Sequence, residues 1–259
     1  MSGSTPTRVS SIKKNIKKAY DSISVTYSAW TKPHHATRIR YLNILLDHLT
    51  PDTSRPDDAN QDSKQEAVLE LGCGSGDPVT ITLASIQHPS NEKSIGNPTP
   101  RFKVIGNDIS PQQLKLASET LDHCKNVELR EGDMMELTFE DATLDAVLGM
   151  YTLIHIPRQQ QDILLRNIHS WLKPGGYFLG NFAVEELESE FSDMWLGRGL
   201  NGGAMFWSSW GKEKTCEIIA EIGFEIVLKE VVDEVEKEDD GKEIEVPFVW
   251  VLARKKLVI

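Results

Sequence analysis

Cysteine is scarce in this chain: three in 259 residues, Cys73, Cys124 and Cys216, odd in number and far apart. No CxxC pair occurs, so neither a disulfide framework nor a zinc site is expected, and a reducing compartment is. Long apolar runs are missing as well. None approaches the roughly 18 residues that a membrane span needs, and the N-terminus has no apolar signal core. Basic residues are outnumbered, 28 Lys and Arg against 39 Asp and Glu, for a net charge of −11. A protein that neutralises nucleic-acid phosphates needs the opposite bias. These absences predict a soluble cytoplasmic protein that acts on neither membranes nor nucleic acid and holds no metal. Its oligomeric state is left open.

Apolar residues make up 39% of the chain, enough for a sizeable core. Residues 10–49 read as helical. Ile12, Ile16 and Tyr20 recur four apart, and Ile39, Leu42, Leu45, Leu46 and Leu49 keep helical spacing, with Pro33 in "YSAWTKPHH" as a break. Lys13, Lys14, Lys17 and Lys18 form a short basic face, expected to be solvated. Residues 50–66 and 87–100 are polar connections.

From Ala67 onward, short apolar strands ("AVLEL", "FKVIGND", "NVELREGD", "LDAVLGM", "YFLGNF") alternate with helices, which predicts a parallel sheet covered on both faces. In "SPQQLKLASETL", Ser110 can cap a helix, Pro111 suits its first position, and Gln113 completes a capping box. "EELESEFSDMWL" places Leu187, Phe191, Met194 and Trp195 on one helical face, so a helix is predicted there. "FEIVLKEVV" and "PFVWVLARKK" suit antiparallel neighbours, joined by an acidic run from Asp233 to Glu245 that reads as solvated loop.

The densest local signal is "AVLELGCGSGDP", where Gly72, Gly74 and Gly76 follow an apolar strand. Glycines so placed let a backbone turn sharply or be closely approached. Ligands of parallel sheets sit at this end of the strands, where helix N-termini offer free N–H groups. A dinucleotide fingerprint would need its third glycine at position 77, which is Asp77, so a nicotinamide dehydrogenase is disfavoured. Asp108 and Asp133 close the next two strands. A carboxylate at the first of these ends can accept hydrogen bonds from a ribose diol, and one at the second from an adenine amino group.

The ordered segments "LELGCGSG", "IGNDIS", "EGDMM", "LDAVLGMYTLIHIP" and "WLKPGGYF" resemble the motifs of class I S-adenosylmethionine-dependent methyltransferases. The resemblance covers Ala67 to Phe182 and reaches the Tyr-containing segment "YDSISVTYSAW". It implies an α/β fold: a Rossmann-like, seven-stranded, mostly parallel sheet with a C-terminal antiparallel hairpin, helices on both faces and an N-terminal helical lid. Residues 1–66 would be lid and linker. Residues 67–259 would be the cofactor-binding domain, with a substrate-lid insertion around 185–211.

The resemblance also implies a cofactor, S-adenosylmethionine, leaving as S-adenosylhomocysteine. Glu70, Gly72, Cys73 and Gly74 would line its methionine part, with Glu70 near the ammonium group. Asp108 would bind the ribose, Ile109 would pack on the adenine, and Asp133 and Met134 would sit at the adenine edge. Met150 would lie near the sulfonium, and Tyr27 would touch the cofactor from the lid. Cys73 reads as a small loop residue and not a nucleophile.

His155 in "YTLIHIP" is the first candidate for a catalytic base, the alternative being a hydrogen-bonded structural histidine. His34 and His35 rank below it. Trp195, Met205, Phe206, Trp207 and Trp210 crowd the segment around the Gly-rich "GRGLNGGA", which reads as a substrate lid. Tyr20, Trp195, Phe206 and Trp207 are the expected substrate contacts, and they suit an apolar or aromatic acceptor. The expected function is methyl transfer to O, N or S of a small organic molecule, in keeping with specialised metabolism. Two alternatives stand beside it: an enzyme of the same fold that catalyses a non-methylating reaction such as a cyclisation, and a non-catalytic cofactor-binding partner subunit.

Overall fold

The apolar segments become the centre of one sheet in the computed structural model, which describes residues 6–49, 65–88, 99–192, 194–196, 198–237 and 243–257. In chain order the first half runs α1 (Pro6–Trp30), α2 (His35–His48), β1 (Glu66–Leu71), α3 (Val79–Ser85), β2 (Phe102–Asp108), α4 (Pro111–Thr120), β3 (Val127–Glu131) and β4 (Leu144–Gly149). Then come α5 (Arg158–Trp171), β5 (Leu172–Ala183), four short strands β6 (Glu186–Phe191), β7 (Met194–Trp195), β8 (Arg198–Gly199) and β9 (Met205–Trp210), and finally α6 (Lys212–Ile222), β10 (Phe224–Lys237) and β11 (Glu243–Lys255).

The sheet order is β10-β11-β5-β4-β1-β2-β3, with β1 to β5 parallel and β10 and β11 antiparallel, as expected. The central strands are apolar nearly throughout because helices cover both faces. On one face α5 and α6 set Leu164, Ile168, Trp171 and Ile219 against Leu69, Val147 and Phe178. On the other, α2 and α3 set Tyr41, Leu42, Leu45 and Leu83 against Val68, Val104 and Trp250. Tyr41 stacks on Trp250 at 4.0 Å. Of the two N-terminal helices, α2 thus belongs to the layer covering the sheet, and α1 is left to cover the end of the sheet where the glycines lie.

A third, smaller core holds α1 in place. Ile12, Ile16, Ala19, Tyr20 and Ile23 pack with Leu200, Met205 and Phe206 from the insertion. Each large side chain so buried contributes about 1.5–3 kcal/mol. The loop before β9 lies directly on the helix: Ala204 N–H donates to the Asn15 carbonyl at 3.3 Å. A Cβ on Gly203 would come within 2.5 Å of Ala19 N and 2.6 Å of Asn15 O.

Four expectations are corrected. In place of the helix predicted at 185–196 stands β6, paired antiparallel with β9 from Glu186↔Trp210 to Phe191↔Met205. "ELESEF" also alternates, with Leu187 and Phe191 half-buried and the glutamates exposed, and an available partner strand decides for that period. The basic face of α1 is not simply solvated. Lys13 forms an ion pair with Asp133, and Lys17 Nζ donates to Glu131 Oε1 and to the Ile109 carbonyl, each at 3.0 Å. Ser110 Oγ accepts the Gln113 N–H at 3.2 Å as a cap, but the Gln113 side chain does not close the box. Glu234, inside the run read as solvated loop, lies within β10 and is only 6% exposed. The polar connections at 50–64 and 89–98 lie outside the described residues.

Among the described residues no helix is long and apolar enough to cross a membrane.

Candidate functional site

Chain order reverses across the sheet between β1 and β4, so the loops leaving these strands diverge and open a crevice, the usual ligand position in such sheets. Gly72 and Gly74 follow β1 at φ +63° and +55°, a region other residues avoid. A Cβ on Gly72 would meet Thr152 Oγ1 at 2.2 Å, so the glycine loop is pressed against the turn that follows β4. After the glycines the Asp77–Pro78 peptide is cis, and α3 starts at Val79.

The crevice is lined by Glu70, Gly72, Cys73, Gly74, Asp108, Ile109, Asp133, Met134 and Met150, with Tyr20, Tyr27 and His155 reaching it from above. The structure therefore brings together every residue expected at the cofactor. Asp108 Oδ2 accepts the Gly74 N–H at 2.9 Å, and Oδ1 accepts the Ser110 N–H at 2.9 Å. Each oxygen keeps a lone pair for a diol. Burial pushes the Asp108 pKa up to about 6, against those two backbone bonds. Glu70 accepts a hydrogen bond from the Thr80 hydroxyl, and burial pushes its pKa up to about 7, offset in part by that bond and by the charge of Arg38. Both carboxyls are poised for a ligand that brings hydroxyls or positive charge. Asp133 Oδ1 accepts the Met135 N–H at 2.9 Å, and its other oxygen takes Lys13. Burial pushes the Cys73 thiol up, which keeps it protonated.

Gln113 adds a feature the sequence did not advertise. It is 1% exposed, it lines the crevice, and neither its Oε1 nor its Nε2 has a partner among the described residues. A buried amide of this kind calls for a polar ligand. Its unmet donor and acceptor, the carboxyls Glu70 and Asp108, and the glycine cradle together fit a nucleoside-bearing amino acid such as S-adenosylmethionine.

Next to the crevice, beneath α1, is a cavity of about 410 Å³. Ile154, Leu187, Leu196, Trp207 and Phe248 make its walls apolar. Trp207 stands where expected. Phe206 does not: its side chain is 1% exposed in the small core with α1, and only its carbonyl serves the site. The Trp195 side chain lies outside the described residues. The aromatic segment thus divides, with Met205 and Phe206 as buried core and Trp207 as chamber wall.

His155 stands at the junction with both ring nitrogens engaged. Nδ1 lies 2.9 Å from the Phe206 carbonyl, to which it donates, so Nε2 accepts from the Tyr20 hydroxyl at 2.8 Å. Burial, only partly opposed by that carbonyl, pushes its pKa down to about 4. The ring is therefore neutral near pH 7. Burial first, then Tyr27, raises the Tyr20 pKa. Tyr20 and Tyr27, seven apart on α1, meet edge-to-face at 5.1 Å.

A polar wall faces the same chamber. Tyr151 O–H donates to Glu234 Oε1 at 2.6 Å, and His34 Nδ1 lies 2.7 Å from Glu234 Oε2. The Arg38 guanidinium lies 4.6 Å from the centre of the Tyr151 ring. Tyr151 adopts φ +54°, its N–H donating to Asn181 Oδ1 at 2.6 Å. Sequence reasoning singled out neither Tyr151, Glu234 nor Arg38 for a role. Only Tyr151 carried a signal, its place directly after Met150 at the end of a strand.

Comparison with known proteins agrees with this geometry. The family described as "Methyltransferase domain" matches residues 68–176. A demethylmenaquinone methyltransferase of Staphylococcus carnosus (strain TM300) is 34% identical over 63% of this chain, which spans 58% of that relative's length. Among solved structures, a Burkholderia thailandensis 1,6-didemethyltoxoflavin-N1-methyltransferase, bound to its namesake compound and S-adenosylhomocysteine, superposes with a TM-score of 0.59 at 15% identity, covering 99% of this chain and 92% of that one. The [4+2]-cyclase SpnF superposes at 0.52 and 17% identity, over 75% and 76%. Likeness at such identities shows a shared fold, and a fold carries more than one chemistry. The ordered motifs, the sheet order and the family match together show that residues 68–176 carry a methyltransferase domain, with a crevice that fits S-adenosylmethionine as its cofactor.

Proposed function

We propose that the chain transfers the methyl group of S-adenosylmethionine to a small organic acceptor held in the chamber beneath α1. The observation that carries this reading is a shared wall: Tyr20, Tyr27, Arg38, Tyr151 and His155 line both the cofactor crevice and the chamber. The cofactor supplies an activated methyl on a sulfonium, so the protein's task is to hold the acceptor in line and keep water out. Orientation of that kind can supply effective molarities of about 10⁵–10⁸ M. In this reading Asp108 takes the ribose, Glu70 the ammonium group, Ile109, Asp133 and Met134 the adenine, and Met150 the region of the sulfonium. His155 acts through Tyr20, fixing its hydroxyl on the shared wall. The apolar walls favour an acceptor with an apolar ring, and a relative named for demethylmenaquinone accords with that class.

Calorimetric titration with S-adenosylmethionine, S-adenosylhomocysteine and NAD tests the cofactor assignment. The two sulfur compounds should bind and NAD should not. Asp108→Ala should weaken binding tenfold or more, since one hydrogen bond to a charged group is worth about 1.5–3 kcal/mol. A folded protein that binds neither sulfur compound sinks the reading.

A further inference from the structure

Two histidines reach the chamber, and they offer it different things. His155 spends both nitrogens inside the protein. His34 spends one. It sits in the single 3-10 turn Lys32–His34 between α1 and α2, 8% exposed, with its ring 5.1 Å from that of Trp30. Glu234 faces it across the chamber wall, and both oxygens of that carboxylate are engaged, one by Tyr151 and one by His34. Burial raises the Glu234 pKa, but hydrogen bonds from His34, Tyr151 and Thr37 outweigh it and leave the group below the usual glutamate range. An ionised Glu234 requires a proton on His34 Nδ1, and in the neutral ring Nε2 is then a lone pair. No hydrogen bond to Nε2 occurs among the described residues. Close by, Arg38 has no carboxylate partner among the described residues.

We propose that His34, oriented by Glu234, is the base of this methyl transfer, and that the acceptor is an apolar ring compound with an ionisable hydroxyl whose oxyanion is met by Arg38. The assignment rests on the methyl-transfer reading above. The acceptor oxygen bonds to the methyl carbon as the carbon–sulfur bond breaks, and the pair from that bond stays on sulfur. The hydroxyl proton passes to His34 Nε2, where the imidazolium faces Glu234, and leaves later to water. Charge balances, because the sulfonium charge is lost as the proton is released. Tyr151 keeps the second carboxylate oxygen occupied, so Glu234 orients the ring and does not take the proton itself. The charged and titratable groups around His34 include Glu234, Arg38, Tyr151, Tyr27, Lys32 and His35.

The test uses the full chain, its His34→Gln and Glu234→Gln variants, and a series of substituted naphthols running from weakly acidic to fully ionised at neutral pH. Cofactor binding by the variants, within about threefold of wild type, certifies their fold, because neither residue lines the cofactor crevice. His34→Gln should lower kcat about 10²–10⁴-fold on the least acidic naphthols, the usual worth of general-base catalysis, and far less on those already ionised. Nitrogen-15 spectra of the resting protein should show His34 protonated on Nδ1 alone. In the S-adenosylhomocysteine complex, a bound nitronaphthol should show its ionised absorbance with wild type and lose it with His34→Gln. An even loss across the series, unchanged turnover, or a His34 proton on Nε2 overturns the proposal. So does a wild-type protein that binds the cofactor yet methylates none of the naphthols. Failure of the wild type to bind S-adenosylmethionine overturns the methyl-transfer reading instead, and the nitrogen-15 spectrum still decides the tautomer.

Discussion

The crevice and the chamber proposed for the acceptor share a wall but are built from different material. The crevice is made largely of backbone and strand ends. Residues 70–78, 107–113, 133–134 and 150–156 each arrive as a short run at the same end of the sheet. The chamber is made of side chains from α1, the turn after it, α2, the segment after β4, the insertion and the long hairpin, contributed singly or a few at a time. A backbone site tolerates almost no change of local conformation. A side-chain site keeps its scaffold while its surface changes, so its preference can shift without a change of fold.

That contrast is broken most directly at Gly72. Gly72→Ala forces a methyl against Thr152 at a positive φ, so stability should fall by about 2–4 kcal/mol and cofactor binding should be lost. Denaturant unfolding and calorimetry measure both. A variant that binds normally would show the loop to be more pliant than its geometry indicates.

A smaller effect is expected at Glu70. Its folded pKa of about 7 lies above its ordinary 4.5, so the native state holds the proton more tightly than the unfolded chain. Its contribution to stability is complete below about pH 4.5 and is lost as pH rises through 7. Measured by urea unfolding, the protein without cofactor should therefore lose up to about 3 kcal/mol relative to Glu70→Gln between pH 5 and pH 8. Saturating S-adenosylmethionine should shrink that gap, because an ammonium group beside Glu70 favours its charged form. A gap independent of pH would mean that Glu70 is ionised throughout.

The smallest effect belongs to the rim. Arg8 pairs with Glu188 at 2.7 Å between α1 and β6, with the Arg8 side chain 41% exposed. Arg8→Ala should cost no more than about 0.5 kcal/mol, since the apolar side chains of α1 and not this pair hold the helix down. A larger loss in thermal unfolding would move the insertion's anchorage to its surface.

The same contrast explains what the sequence revealed. The place of Gly72, Gly74, Asp108 and Asp133 at the crevice was legible because each stands at a strand end, and strand ends can be read from local pattern. The mostly parallel sheet and its C-terminal hairpin followed from the alternation of elements and the family resemblance. Leu187 and Phe191 misled because four-residue spacing satisfies both periods, and only pairing with β9 chose between them. Glu234 was hidden for a different reason. In sequence it is one acid among many, and its burial depends on Tyr151 and His34, which lie 83 and 200 residues away. His34 ranked below His155 because a strand end is visible in sequence, whereas a nitrogen left without a bond is visible only in three dimensions.

The fit of Gly203 against Asn15 and Ala19 has a consequence for inheritance. With no room for a side chain between the insertion and α1, neither surface can drift without the other, and the two segments form one module though 180 residues of chain separate Arg8 from Glu188. A transplant of acceptor preference between homologues must therefore carry both segments, with crossovers in the turn after Trp30 and at Gly211. Exchange of the insertion alone would set a strand pair shaped for one helix upon another.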